Sequence, residues 1–240
     1  MWVHSVESLA ALDGEGVRYA LFLGGCPLRC VYCHNPDTWT QNGCQDMSAE
    51  LLFSKIRRYK PYFKNGGGVT FSGGEPLLQA EEILLLTNLL SRDGIGYAID
   101  TSGQVPLSDY VKKVVDGADL IILDLKFANA LDYNEFCGGD IEMVLDFADY
   151  AVSNKKRIWF RSVIIPGIND NEQYIDKLLD TAKPYLADVE RFELLGFHTM
   201  GFFKYDGLGV RNPLSDTPPM DPSRLLSLQN YLDLKKGLVK

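Results

Sequence analysis

Long apolar runs are missing from this chain. None approaches the ~18–20 residues that cross a bilayer, so no membrane span is expected. Long basic runs are missing as well: Arg57-Arg58 and Lys155-Lys156-Arg157 are short, and 24 Lys and Arg against 32 Asp and Glu leave a net charge of -8. That balance disfavours a phosphate-tracking surface, so nucleic acid is not an expected partner. The opening Met1-Trp-Val-His-Ser-Val-Glu has no basic stretch leading into an apolar one, so no signal peptide is read there and a cytoplasmic location is expected. Cysteines number five, an odd count, and three of them crowd one loop, which argues against a secreted disulfide framework and for a reducing compartment. Cys44 and Cys137 stand apart and read as unpaired thiols with no special role. Internal repeats, low-complexity tracts and linkers are also absent. One domain over residues 1–240 is the simplest organisation.

What the chain does have is Cys26-Pro-Leu-Arg-Cys30-Val-Tyr-Cys33, three thiols spaced C-x3-C-x2-C within the loop at 24–39. A loop this short can turn its sulfurs onto one centre, and thiolate suits iron–sulfur clusters, zinc or Cu(I). Structural zinc and ordinary cubane clusters take four protein ligands. Here there are three, with His34 immediately after, and the fourth position is an open question.

Around that loop, apolar strands alternate with amphipathic helices about six times. Tyr19–Leu23, Val69–Phe71, Gly96–Asp100, Leu120–Lys126, Arg157–Ile165 and Val189–Leu195 read as strands. Helices are expected after Ser48, from Gln79 to Arg92, from Ser108 to about Asp116, through about Lys155, from Asn171 to Tyr185, and from Pro222 with Asp221 as N-cap. Residues 1–18 read as polar and turn-rich, and 196–221 as a long loop before the C-terminal helix, the two together forming a loop-and-helix tail at 196–240. Continuous apolar strands between helices mean a parallel sheet. An eight-unit barrel needs ~250 residues, so six units predict a partial TIM-like (β/α)6 barrel.

Polar groups cluster just after the strands: the three cysteines, Gly73-Gly74-Glu75, Asp100-Thr101, Asp124 with Lys126, Arg161 and His198. In a parallel sheet these meet on one rim, where α/β proteins place their chemistry.

The cysteine spacing, with the aromatic Tyr32 before the third thiol, resembles the signature of the radical S-adenosylmethionine superfamily, and the Gly-Gly-Glu-Pro loop strengthens the likeness. Asp13-Gly-Glu-Gly-Val-Arg18, Cys33-His34-Asn35-Pro36-Asp37-Thr38-Trp39, Gly66 to Glu75, Asp100-Thr-Ser-Gly103, Asp124-Leu-Lys126 and Glu193 to His198 then resemble the glycyl-radical-enzyme activases of the pyruvate formate-lyase type. The resemblance implies a [4Fe-4S] cluster held by Cys26, Cys30 and Cys33, with S-adenosylmethionine on the fourth iron. It implies that Tyr32, Gly73, Gly74, Glu75, Asp100, Lys126 and His198 surround that cofactor. It further implies a monovalent cation at Asp100, Thr101 and Asp124, and substrate-peptide contacts at Asp13, Arg18 and His34. The implied activity is abstraction of a glycine α-hydrogen from a partner glycyl radical enzyme by a monomer, fed by a flavodoxin or ferredoxin-type electron donor. Glu15 stands where relatives of this type usually carry Pro. Two alternatives are a radical S-adenosylmethionine enzyme acting on a small molecule, and a zinc module built from the three thiols and His34.

Overall fold

The computed structural model describes residues 1–238. Six strands run parallel in sequential order: β2 (Arg18–Leu23), β4 (Gly68–Gly73), β5 (Tyr97–Thr101), β6 (Leu120–Asp124), β7 (Ile158–Ile164) and β8 (Val189–Gly196). Neighbours in the sheet are neighbours in the chain, which is the winding of a (β/α) barrel. A doubly wound sheet would reverse its strand order. The sheet stays open: β3 (Gln45–Asp46) and β1 (Trp2–Ala10) precede β2, giving the order β3-β1-β2-β4-β5-β6-β7-β8. The expected six-unit partial barrel is what forms.

Two departures lie at the ends. Residues 1–18 are not merely turns: Trp2–Ala10 is a strand, β1, antiparallel to β2 and flanked by the short β3 (Gln45–Asp46). In β1 only Val3 and Ala10 are buried, so no alternation marks it. It exists because the free edge of β2 presents unpaired backbone groups that need a partner. Within 196–221, the short helix α7 (Phe202–Leu208) interrupts the expected loop.

The remaining helices follow their caps. Ser48 Oγ accepts from Leu51 N at the start of α1 (Ala49–Ile56), and Ser108 Oγ from Val111 N at α3 (Asp109–Gly117). Asn129 and Asn171 do the same for α4 (Ala130–Cys137) and α6 (Glu172–Ala182). Each such cap contributes about 1 kcal/mol. The other helices are α2 (Ala80–Arg92), α5 (Ile141–Ser153) and α8 (Pro222–Leu238), and Asp221 accepts from Arg224 N at 2.8 Å to start the last.

Both faces of the sheet are covered, which explains the unbroken apolar runs. On the outer face Leu21, Phe71, Ile99, Ile121, Leu123 and Phe160 pack against the helices, and on the inner face Ala98, Leu120, Ile122 and Trp159 fill the bottom of the barrel. Each large side chain buried this way stabilises by about 1.5–3 kcal/mol. Above that plug the inward positions turn polar: Ser72, Asp100, Asp124 and Arg161, with Asp124 and Arg161 paired in register.

Candidate functional site

Backbone hydrogen bonds pin the cysteine loop at several residues. Gly25 N donates to Thr38 O at 2.8 Å, Cys26 N to Trp39 O at 3.2 Å, and Cys33 N to Cys30 O at 3.1 Å. Arg29 donates to the Cys26 and Leu28 carbonyls and lies over the Trp39 ring. The loop after β4 zips onto this one: Gly74 N donates to Leu23 O and Glu75 N to Gly25 O. A Cβ on Gly74 would collide with Gly25 O, and Gly73 has φ +114 against the Leu23 backbone. The paired glycines are therefore what lets the two loops touch.

All three thiols line one cavity of about 300 Å³ at the C-terminal ends of the strands. Asp13, Tyr32, His34, Gly73, Gly74, Asp100, Thr101, Asp124, Lys126 and Arg161 share its walls. Burial pushes the Cys26 thiol up to about 12 and the Cys33 thiol to about 11, so positive charge must enter for these sulfurs to become thiolates. Among the described residues, no three His, Cys, Asp or Glu side chains gather closely enough to hold a single metal ion. Three thiols on the wall of one cavity are a soft donor set that fits an iron–sulfur cluster.

The charged walls are arranged in pairs. Lys126 Nζ donates to Asp124 Oδ2 at 2.7 Å. Desolvation opposes the ammonium, but Asp124 and the neighbouring thiols hold the Lys126 pKa well above its usual value. Asp100 accepts from Ser72 Oγ at 2.7 Å, and burial, then the nearby Asp124 carboxylate, push it up to about 6. Arg161 donates to Leu12 O and so ties β7 to the segment carrying Asp13.

Other expected residues sit behind the walls. Glu75 is fully buried and accepts from Thr101 Oγ1 at 2.7 Å, Ser102 N at 2.8 Å, Ser102 Oγ at 2.5 Å and Leu77 N at 3.1 Å. Its carboxylate bolts the β4 loop to the β5 loop. Arg18, 2% exposed, braces the Asp13 turn from below, donating to Thr70 Oγ1, Gly66 O and Val69 O, and burial lowers its pKa to about 10. His198 stacks on His34 with ring centroids 3.6 Å apart, and its carbonyl meets His34 Nε2 at 3.1 Å. Burial lowers both pKa values, that of His34 to about 4, so both rings are neutral near pH 7. Glu15, in the same turn as Asp13, is held by Arg157, which also grips Glu190.

Three features escaped the sequence reading. Trp39 and Thr38, after the cysteines, line the cavity through a short 3-10 turn at Pro36–Thr38. Helix α7 straps the loop: Lys204 Nζ donates to Asn35 Oδ1 and Asp37 Oδ1, and Tyr205 OH to Cys33 O. Cys137, expected to be idle, ends α4 against the cysteine loop, where its carbonyl accepts from Arg29 N at 2.8 Å. A second cavity, about 500 Å³ between β8 and α8, contains no thiol.

The radical SAM superfamily profile matches residues 21–179. The chain is 40% identical to the pyruvate formate-lyase-activating enzyme of Clostridium pasteurianum, over 96% of both chains. Among solved structures, a radical SAM methyltransferase from Sphaerobacter thermophilus superposes with TM-score 0.65 at 15% identity, covering 91% of this chain and 64% of that one. Streptococcus suis SuiB bound to S-adenosylmethionine gives TM-score 0.56 at 19% identity, over 70% of this chain and 37% of SuiB. The chain thus spans less than two thirds of either of those two structures, and they speak for the fold. The profile match and the near-full-length identity place the chain in the radical SAM superfamily, within the family of the pyruvate formate-lyase-activating enzymes.

Proposed function

We propose that this chain is an activase that binds a [4Fe-4S] cluster through Cys26, Cys30 and Cys33 and abstracts a glycine α-hydrogen from a partner glycyl radical enzyme such as pyruvate formate-lyase. The single observation that carries this is the cavity in which three thiols face paired charges at the strand ends. Held by Cys26, Cys30 and Cys33, such a cluster would supply the electron for reductive cleavage of S-adenosylmethionine, the chemistry that would allow a hydrogen atom to be taken from the substrate.

The chain's own residues bind, orient and exclude. The ligand's amino acid end is a zwitterion, and the wall offers carboxylates at Asp100 and Asp124 for its ammonium and cations at Lys126 and Arg161 for its carboxylate. Gly73 and Gly74 bring backbone close to the same end. Tyr32 lies in the apolar stretch beside Phe127, where an adenine face would rest. Asp100 and Asp124, with Thr101, would also meet a monovalent cation. Asp13 and His34 edge the cavity where a substrate peptide would enter, and Arg18 and His198 hold them in place. Hydrogen-atom abstraction needs no general base, which agrees with walls that pair cations with carboxylates and present no nucleophile–base couple.

The cavity volume, about 300 Å³, is at the lower end of the range for one small ligand, so cluster and cofactor fill it and the substrate arrives from outside as a protein segment. The electron comes from a flavodoxin or ferredoxin-type donor. Free thiols at all five cysteines suit a reducing cytoplasm.

The test is to reconstitute the chain anaerobically, add a reductant, S-adenosylmethionine and a pyruvate formate-lyase, and record the EPR spectrum. A glycyl doublet is expected. Reductive cleavage of the cofactor with no doublet from any glycyl radical enzyme would move the assignment to a small-molecule substrate, and a colourless zinc protein would overturn it altogether.

A further inference from the structure

Arg157 lies outside the cavity, yet it holds a turn that reaches into it. It immediately precedes β7 and shares the inward register of Trp159 and Arg161. Its guanidinium grips two carboxylates, each bidentately. Nη1 donates to Glu15 Oε2 at 3.0 Å and Nη2 to Glu15 Oε1 at 2.7 Å. Nε donates to Glu190 Oε1 at 2.7 Å and Nη2 to Glu190 Oε2 at 2.8 Å. Glu190, on β8, also accepts from Trp159 Nε1 at 3.4 Å.

The sheet ends at β3 on one side and at β8 on the other, so no backbone ladder joins the turn before β2 to β7 or β8. Arg157 makes that join through Glu15, and Arg161 makes it through the Leu12 carbonyl. The turn needs such a hold. Glu15 sits between Gly14 at φ +130 and Gly16 at φ +64, and the two glycines give the turn its shape but little stiffness.

Asp13 precedes this turn and lines the cavity. Its carbonyl accepts from Thr70 Oγ1 at 2.7 Å, while its half-buried carboxylate accepts no hydrogen bond from any described residue. A carboxylate partly desolvated without a donor is matched to an incoming one, such as a backbone amide of a peptide segment. Where that carboxylate points depends on the turn, and the turn is fixed at Glu15.

We propose that Arg157 is a positioning residue for the partner protein: gripping Glu190 on one side and Glu15 on the other, it stiffens the turn at 14–16 and holds Asp13 ready for the segment that enters the cavity. This rests on the function proposed above. Arg157 does not line the cavity, so its effect falls on capture of the partner and not on cleavage of S-adenosylmethionine.

Proline separates stiffness from charge. Glu15 is not at positive φ, and among the described residues its amide donates no backbone hydrogen bond, so a proline fits there and its ring fixes the turn without Arg157. The experiment compares wild type, Arg157→Gln, Glu15→Gln, Glu15→Pro and the double variants Glu15→Gln/Arg157→Gln and Glu15→Pro/Arg157→Gln, all reconstituted anaerobically. Iron content and reductive cleavage of S-adenosylmethionine without a partner are measured first and should match wild type in every variant. Activation is then followed against the concentration of a pyruvate formate-lyase, by the glycyl EPR doublet.

Arg157→Gln and Glu15→Gln should each raise KM for that protein about fivefold with kcat unchanged. The Glu15→Gln/Arg157→Gln pair should rise no further than either alone, because the two residues act as one clamp. Glu15→Pro should stay near wild type, and adding Arg157→Gln to it should raise KM less than about twofold. The Gln pair decides by itself if Glu15→Pro takes up no iron. An unchanged KM in Arg157→Gln would overturn the inference, as would a further fivefold rise in the Gln pair or an equal rise in the Glu15→Pro background. KM rising only in step with lost iron and lost cleavage would mark a merely structural role and overturn it too. A wild type that cleaves the cofactor and gives no doublet would instead sink the proposed function, a result distinct from a wild type that activates and variants of unmoved KM.

Discussion

The hydroxyl of Thr101 donates to Glu75 Oε1 at 2.7 Å, joining the loops after β4 and β5 beneath the floor of the cavity. Four donors in all converge on that carboxylate, and burial still raises its pKa. The Gly-Gly-Glu segment is therefore a structural joint as well as a cavity wall. Replacing Glu75 with Ala leaves those donors unpaired in a dry site and should cost about 3–5 kcal/mol, and Glu75→Gln about 2–3 kcal/mol, because its NH2 faces donors. Chemical denaturation measures both, and a Gln variant as stable as the parent would refute the joint.

Each of Cys26→Ala, Cys30→Ala and Cys33→Ala should leave a folded chain that loses most of its iron and cleaves no S-adenosylmethionine. Burial holds the Cys26 and Cys33 pKa values far above neutrality, so without a bound cluster each substitution removes only a neutral S–H group. Iron analysis and product chromatography decide the outcome. Retained cleavage in Cys30→Ala would contradict the ligand assignment.

Arg157 bridges Glu15 and Glu190, and its hydrogen bonds lower the pKa of both carboxylates. A carboxylate whose pKa is lower in the folded chain stabilises at pH above its ordinary value, near 4.5, and that contribution is lost as pH falls through the lowered value. Arg157→Gln should therefore be less stable than wild type at pH 7, and the gap should close in acid. The groups are about two-fifths exposed, so about 1 kcal/mol is expected at neutral pH. Denaturation curves at several pH values follow the gap, and a difference that grew in acid would contradict the assignment.

Lys204 reaches Asn35 and Asp37, and His4 meets the far oxygen of Asp37 at 3.1 Å. The strap α7 depends on these few polar contacts and on Tyr205. Lys204→Met should free it, so proteolysis between residues 199 and 212 should speed up several-fold while global stability falls by only about 1 kcal/mol. Unchanged cleavage would mean that apolar packing alone holds α7.

Much of the fold was legible because its signals are local. Leu120–Leu123 is apolar at every position, since both faces of a parallel strand are covered, and Ser48, Ser108 and Asn171 mark helix starts by bonding amides three residues away. β1 was not legible, because seven of its nine residues are not buried and its only reason to be a strand is the edge of β2. α7 lacks a side-chain cap, starts at Gly201, and is held by residues some 170 positions earlier.

The same division runs through the site. The spacing of Cys26, Cys30 and Cys33, and their position after a strand, pointed to one shared site, and the three thiols do line one cavity, because eight residues of chain cannot carry three sulfurs far apart. Only the tertiary structure decided that Glu75 turns inward to Ser102, that His198 stacks on His34, and that the Cys137 carbonyl takes the Arg29 amide. Each of those contacts joins segments far apart in the chain. The physical reason is the barrel itself: it gathers the ends of six strands onto one rim, and which groups then face the cavity or each other depends on burial and hydrogen bonding across that rim.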